Sequence, residues 1–373
     1  MIYLDYCANT PADPAVLAAF LQAEQTYIGN PNANHPAGQA AREAMCCATE
    51  GIASLLGVSP DEIIYTSGAS ESNNLALKGI AHASRHTGRH IISTVLEHSS
   101  VGGALSALQQ QGYEIDLVDI GRDGTVDLAH LQELLRKDTV LVAVSVVDGE
   151  LGTVQPIDRI AKILRQFPNC RLHVDATQAV GKLPLALHGA DTVSIAPHKF
   201  YGLNGSGLLI KQNGLVIEPQ IHGGVSTTIY RSGTPALALA VSAEKALRLA
   251  LENQDARIRH VAALNARLRE ALAKYPAVRF NSPETAVPHI LNLSVQGVKG
   301  AAFQRALGRR GVCVSVKSAC SVEGTPSKAV FAVSRDRKNA LSSWRISLSH
   351  LTTQETLTQF LLIFDECYKE LVP

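Results

Sequence analysis

The 373-residue chain is 46% apolar and 18% charged, with a net charge of +1, long enough for a large core and for two domains. A net charge this near zero implies neither a nucleic-acid surface nor a polybasic membrane patch, and the longest apolar stretch, Val140 to Val147, is too short to cross a bilayer. The seven cysteines include a vicinal pair, Cys46-Cys47, and no C-x-x-C, which argues against a disulfide framework or a zinc site and fits a reducing cytoplasm. The first residues carry an early acid and no basic-then-apolar pattern, so no signal peptide is expected.

Tyr3 to Tyr6 is a short extended start. Asp13 and Pro14 are the N-cap and first position of a helix reaching about Tyr27. Dense loop chemistry follows from Gly29 to Pro36, then a helix from Gly38 to Leu56 closed by Gly57. From there strands and helices alternate. Strands are predicted at Glu62–Thr66, His90–Val95, Tyr113–Val118, Val140–Val147, Arg171–Val174 and Thr192–Ala196. Helices Glu71–Ser84, Val101–Gln111, Leu128–Leu135 and Ile157–Arg165 lie between most of them. Such alternation predicts an α/β fold with a mostly parallel sheet covered by helices.

After Gly233-Thr234-Pro235 the pattern changes. Helical spacing runs from Ala236 to Tyr275, then shorter strands are expected at Ile290–Val295, Val312–Val316 and Trp344–Leu348. Helices are expected around Phe303–Arg309 and Thr356–Leu371. This predicts a large α/β domain over 13–255 and a smaller α+β domain built from 1–12 and 256–373.

Ligands of open α/β sheets collect beyond the carboxyl ends of the strands. Ser67-Gly68-Ala69-Ser70 opens a helix there, where free N–H groups and the helix dipole favour a phosphate, or where Ser70 simply caps the helix. Glu97-His98 follows the next strand; His98 is a candidate to lie over a planar ring, or one of thirteen ordinary histidines. Asp175 ends a buried strand, where a carboxylate needs a cation such as a pyridinium nitrogen, or caps the next turn. Lys199 stands just past the run Thr192 to Ala196 and Pro197, where desolvation exposes a neutral amine suited to a Schiff base with pyridoxal phosphate. Four such groups after four strands make a stronger case than any one of them.

These segments, with His-Val-Asp-Ala-Thr-Gln (173–178), His-Lys-Phe-Tyr-Gly (198–202), His-Gly-Gly (222–224) and Arg-Ser-Gly-Thr (231–234), resemble the cysteine desulfurase family. That family belongs to the class V aminotransferase group of fold-type I pyridoxal-phosphate enzymes, and the similarity runs from Tyr3 to Leu348. The resemblance implies Lys199 as the cofactor-linking lysine, His98 as ring stacker and proton-transfer partner, Asp175 at the pyridinium and Gln178 at the ring hydroxyl. It implies Ala69, Ser70 and His198 at the phosphate, and Thr234 at the phosphate of a neighbouring subunit, hence a homodimer. Ser318-Ala319-Cys320 is similar to the family's sulfur-accepting segment, with Cys320 as the nucleophile that takes sulfur from L-cysteine and passes it to an acceptor protein. Arg345 would hold the substrate carboxylate. The stretch Val322 to Asn339 is expected to be a mobile loop, with Lys317 and Lys328 favouring the thiolate.

Departures from the family pattern are equally specific. Where two asparagines are usual, Asp148-Gly149 stands, so one cofactor-binding amide is missing. Ala196 replaces a serine, Pro197 a glycine and Asn9 a threonine, and Val225 to Ile229 replaces a Gly-x-Glu-Arg-Gly pattern. Glu97, Asp148 and Asn34 are candidates to compensate. The expectation is a divergent cysteine desulfurase, with selenocysteine lyase, another class V lyase or aminotransferase, or a non-catalytic scaffold as the alternatives.

Overall fold

The computed structural model describes residues 1–184, 189–317 and 324–372. Strand β1 (Ile2–Tyr3) opens the chain, followed by helices α1 (Pro14–Thr26) and α2 (Pro36–Leu56). Then come β2 (Ile63–Thr66), α3 (Ala69–Ala83), β3 (His90–Ser93), α4 (Ser99–Gln110), β4 (Glu114–Leu117) and α5 (Leu128–Leu134). Next are β5 (Thr139–Ser145), α6 (Ile157–Leu164), β6 (Arg171–Asp175), β7 (Thr192–Ile195) and β8 (Gly207–Lys211). Helices α7 (Leu237–Glu252) and α8 (Gln254–Leu272) lead to β9 (Val278–Phe280), β10 (Ile290–Val295), α9 (Gly300–Arg309) and β11 (Val312–Cys313). The chain closes with α10 (Lys328–Ser334), α11 (Arg337–Ser342), β12 (Ser343–Ser347) and α12 (Gln354–Leu371).

Local chemistry accounts for most boundaries. The Asp13 carboxylate caps α1 by accepting from the Ala15 N–H at 2.8 Å, with Pro14 at the first helical position. Helix α2 begins two residues before Gly38 because Pro36 suits the first turn and the His35 ring accepts from the Gly38 N–H. It ends at Gly57 in the left-handed conformation. All seven residues of β5 are buried, as expected of a strand covered on both faces.

The main sheet has the order β2-β8-β7-β6-β5-β3-β4. Strands β7, β6, β5, β3 and β4 run parallel, and β8 is antiparallel to both β7 and β2. The mostly parallel sheet was legible from the alternation; the reversal at β8 follows from the short turn after Lys199, which cannot make a crossover. A three-stranded antiparallel sheet β12-β10-β9 and the parallel pair β1-β11 form near the C-terminal half. Ile2 and Leu4 pack there with Leu264, Leu268, Phe303, Trp344 and Phe364. The main core, by contrast, takes in Val287, Ile290, Ala329, Val330 and Ala340 besides the large sheet.

One expectation is corrected. Most of Val322 to Asn339 is not loop: α10 and α11 occupy it from Lys328 onward. Ser327 caps α10 through the Val330 N–H, Asp336 caps α11 through the Lys338 and Asn339 N–H groups, and Ala329, Val330 and Ala332 are buried. Polar composition hid two short capped helices, the first with an apolar face. Among the described residues no helix is long and apolar enough to cross a membrane.

Candidate active site

The carboxyl ends of β2, β3, β5 and β6, together with the short turn after β7, surround a cavity of about 430 Å³. Ala69, Ser70, His98, Asp175, Gln178, His198, Lys199 and Arg345 all line it. Thr234 does not; it is exposed and lines a separate cavity of about 100 Å³ with Arg231 and Gly207, and Ser67 borders both cavities. Cys320 lies outside the described residues.

Strand β7 ends at Ile195, and residues 197–199 form one tight turn that carries the lysine. The N-terminal segment clamps that turn. Thr10 donates its hydroxyl to the His198 carbonyl at 2.9 Å and accepts from the Tyr201 N–H at 2.8 Å. Tyr201 is held at φ 68°, a conformation that a β-carbon disfavours, and this is what turns the chain back towards β8. The Lys199 ammonium donates to the Cys7 and Ala8 carbonyls at 2.8 and 2.7 Å. Burial pulls its pKa down to about 8, so a neutral amine is accessible near neutral pH.

Asp175 is buried at the end of β6. It accepts from the Asn73 amide at 2.9 Å and from the Thr177 N–H at 2.9 Å. Asn73 is a hub that sequence reasoning missed. Its two N–H bonds go to Asp175 and to the Ser100 hydroxyl, so its oxygen must accept, and the His173 Nε2 3.0 Å away must donate. His173 Nδ1 then accepts from the Thr192 hydroxyl at 2.9 Å, and desolvation lowers this imidazole's pKa to about 4, keeping it neutral. Ser100, in turn, donates to His98 Nδ1, which also accepts from the Ser100 N–H. The His98 proton therefore resides on Nε2. Desolvation lowers the His98 pKa as well, with Asp175 opposing and Lys199 reinforcing. The signal for Asn73 was helical spacing: it lies four residues beyond Ala69, on the same face of α3.

Helix α3 opens at Gly68 with no side-chain cap, which leaves its first N–H groups for an anion. A β-carbon on Gly207 would lie 2.5 Å from the Gly68 backbone, so β8 approaches that turn closely only because 207 is glycine. Glu71 accepts from the Ser67 N–H at 2.7 Å and pairs with Arg231 at 2.9 Å, tying the turn down. His198 is neutral, its pKa lowered to about 4 by desolvation and the nearby Lys199 and Lys182.

Arg345 is buried and already engaged: it pairs with Asp5 at 2.8 Å and donates to the Gly149 carbonyl at 2.6 Å. Its Nε is buried with no partner among the described residues, while Nη1 and Nη2 each spend one N–H on Gly149 and Asp5, leaving their second N–H groups as the donors for a ligand carboxylate. Of the three proposed compensators, Glu97 and Asp148 line the cavity and Asn34 does not. Burial pushes both carboxyls up to about 7. Asp148 accepts from the Glu150 and Leu151 N–H groups, so it braces its own turn. Ala196 is fully buried and is not among the cavity-lining residues. Lys317 donates to the Thr325 carbonyl and hydroxyl, joining the two ends of the segment that carries Cys320.

An amine of lowered pKa, a buried carboxylate and an open helix N-terminus around one cavity are the groups that pyridoxal phosphate needs, and its aldehyde, pyridinium and phosphate fit them chemically. The aminotransferase class-V family model matches residues 2–360. The chain belongs to the class V aminotransferase family. Within it, this member is similar to cysteine desulfurases. It is 36% identical to cysteine desulfurase IscS of Dictyoglomus turgidum over 99% of this chain and 95% of that protein. It is 38% identical to cysteine desulfurase IscS of Azotobacter vinelandii, covering 95% and 89% of the two chains. A solved structure described as a NifS-like protein superposes with TM-score 0.93 at 32% identity, covering 99% of this chain and 100% of that one. The fold is thus that of the fold-type I enzymes this class V family member resembles in sequence.

Proposed function

We propose that this chain is a cysteine desulfurase that removes sulfur from L-cysteine, yields L-alanine and leaves a persulfide on Cys320 for an acceptor protein. The observation that carries this is the Lys199 amine, with its pKa drawn down to about 8, in a cavity that also holds Asp175 and His98. Pyridoxal phosphate, when bound, supplies an electron sink for carbanion chemistry at the substrate. Lys199 would hold its aldehyde carbon, Asp175 its ring nitrogen, Gln178 its ring oxygen, and Ala69, Ser70 and His198 its phosphate.

The chain's own groups divide the remaining work. Arg345 binds the substrate carboxylate through donors not used by Asp5 and Gly149. The Lys199 amine, in its neutral form, accepts the substrate's α-proton. His98, with Nδ1 occupied, holds a proton at Nε2 on the cavity side for delivery to a leaving group or carbon. The Cys320 thiolate bonds to the substrate sulfur; the carbon–sulfur bond breaks with its electron pair on carbon, and protonation there completes alanine. Six cysteines among the described residues are free, in keeping with a reducing compartment such as the cytoplasm for persulfide transfer.

Thr234, exposed and away from the Lys199 cavity, supports a homodimer in which it serves the partner's site. The small-sheet core around Ile2, Leu264 and Phe364 supports grouping 1–12 with 256–373 apart from 13–255, although Val287, Ile290, Ala329, Val330 and Ala340 join the main core.

The test is incubation of the loaded protein with L-cysteine. The wild-type chain is expected to acquire one labile sulfur on Cys320 by mass spectrometry, and Cys320→Ala to lose at least about 10²-fold in alanine formation. Full turnover by C320A without added reductant would sink the assignment, and parallel turnover of selenocysteine and cysteine sulfinate sets the substrate class. Gly149→Asn is a second test. A β-carbon there meets only Gln178, at 3.8 Å, so the side chain has room beside the ring oxygen's place. One added hydrogen bond to a charged group predicts about tenfold tighter pyridoxal-phosphate binding, measured by absorbance titration of stripped protein.

A further inference from the structure

Lys182 is buried in the turn region after β6, with 8% of its surface exposed, yet it forms no ion pair among the described residues. Its ammonium donates to the Gln178 side-chain oxygen. The Gln178 amide nitrogen donates to the Cys7 carbonyl at 3.0 Å. These two contacts decide the orientation of the amide twice over. A flipped amide would set its NH₂ against an ammonium and its oxygen against a carbonyl, two repulsive contacts in place of two bonds. The nitrogen therefore keeps one N–H free, and Gln178 lines the Lys199 cavity. Position 149, where a side chain could reach the same region, is glycine and supplies no substitute donor.

The charge environment of Lys182 points the same way. Lys199, His198 and Arg345 all interact with it electrostatically, as does His289 behind it. Burial makes its charge costly, and only one of three ammonium donors has an acceptor among the described residues. Its one acceptor among the described residues is the Gln178 oxygen, so the buried charge itself favours the amide orientation that the Cys7 carbonyl requires.

We propose that Lys182 is a positioning residue: it holds the Gln178 amide with its nitrogen turned to the cavity, as a donor to the deprotonated ring oxygen of pyridoxal phosphate. This rests on the cofactor assignment made above. Lys182 itself touches neither cofactor nor substrate; it acts through Gln178, and Gly149 makes this chain depend on that one amide.

The experiment measures the dissociation constant for pyridoxal phosphate on stripped, full-length protein by absorbance titration, with melting of the stripped protein alongside. Lys182→Met is expected to weaken binding about tenfold in the wild-type background and less than about twofold in a Gln178→Met background. Lys182→Arg should stay within about threefold of wild type, since a cavity of about 20 Å³ beside Lys182 and His289 gives the larger head room. Gln178→Glu removes the donor and sets a carboxylate oxygen against the Cys7 carbonyl, so it is expected to weaken the cofactor more than about tenfold. An equal loss from K182M in both backgrounds, or no loss at all, overturns the proposal. If K182M does not fold, Lys182→Ala in the same two backgrounds decides. A wild-type chain that binds no pyridoxal phosphate would overturn the cofactor assignment itself, a result distinct from any of these.

Discussion

Lys199→Ala is expected to give a folded protein that shows no visible chromophore with pyridoxal phosphate and has lost at least about 10³-fold in turnover of L-cysteine. The amine is the group whose covalent chemistry the cavity is built to favour, and among the described residues no other lysine lines the cavity. Folding should not suffer. Burial already holds the Lys199 ammonium below its ordinary affinity for a proton, so replacing it removes a desolvated charge rather than a source of stability. A matching pH dependence follows. The neutral amine is the reactive form, and its pKa lies at about 8. Capture of the cofactor by stripped protein should speed up about tenfold per pH unit below that value and level off above it. A stopped-flow series across pH 6 to 10 checks this, and a rate still climbing at pH 10 would mean an ordinary, solvated lysine.

Asn73→Ala is expected to have the second-largest effect, on stability and turnover together. It removes the amide donor from Asp175, orphans the His173 Nε2 proton and frees Ser100 from the orientation that holds His98. Each lost bond at a buried or charged group costs about 1.5–3 kcal/mol, so a loss of at least about 3 kcal/mol is expected. Turnover should fall about 10- to 100-fold, because Asp175 and His98 lose their fixed orientation while remaining present. Thermal denaturation and steady-state kinetics measure the two losses separately. A variant with wild-type turnover would show that the network does not orient the site.

The alternation of strands and helices, the caps at Asp13 and Gly57, and the cavity positions of His98, Asp175 and Lys199 were legible because each depends on local chemistry at a strand end. The small residues Ala69 and Ser70 belong with them, since a helix N-terminus is written in a few consecutive residues. Helices α10 and α11 were not legible. Their sequence is rich in Ser, Lys and Arg, and what marks them is the buried face of Ala329, Val330 and Ala332 in α10 and the burial of Asn339, Ala340 and Ser342 in α11. The partners of Arg345 were equally hidden, since Asp5 is 340 residues away along the chain.

By itself, then, the order of residues determined the fold class, the lysine and the strand-end groups around it, because periodicity and desolvation at a strand terminus are properties of short segments. Only the tertiary structure decided how those groups are held. The carbonyls of Cys7 and Ala8 that receive the Lys199 amine, the Asn73 hub and the Lys182–Gln178 contact involve backbone atoms and hydrogen-bond directions. Residue identity does not specify these until the sheet brings the segments together, because a hydrogen bond depends on distance and angle, which separated stretches of chain do not share before folding.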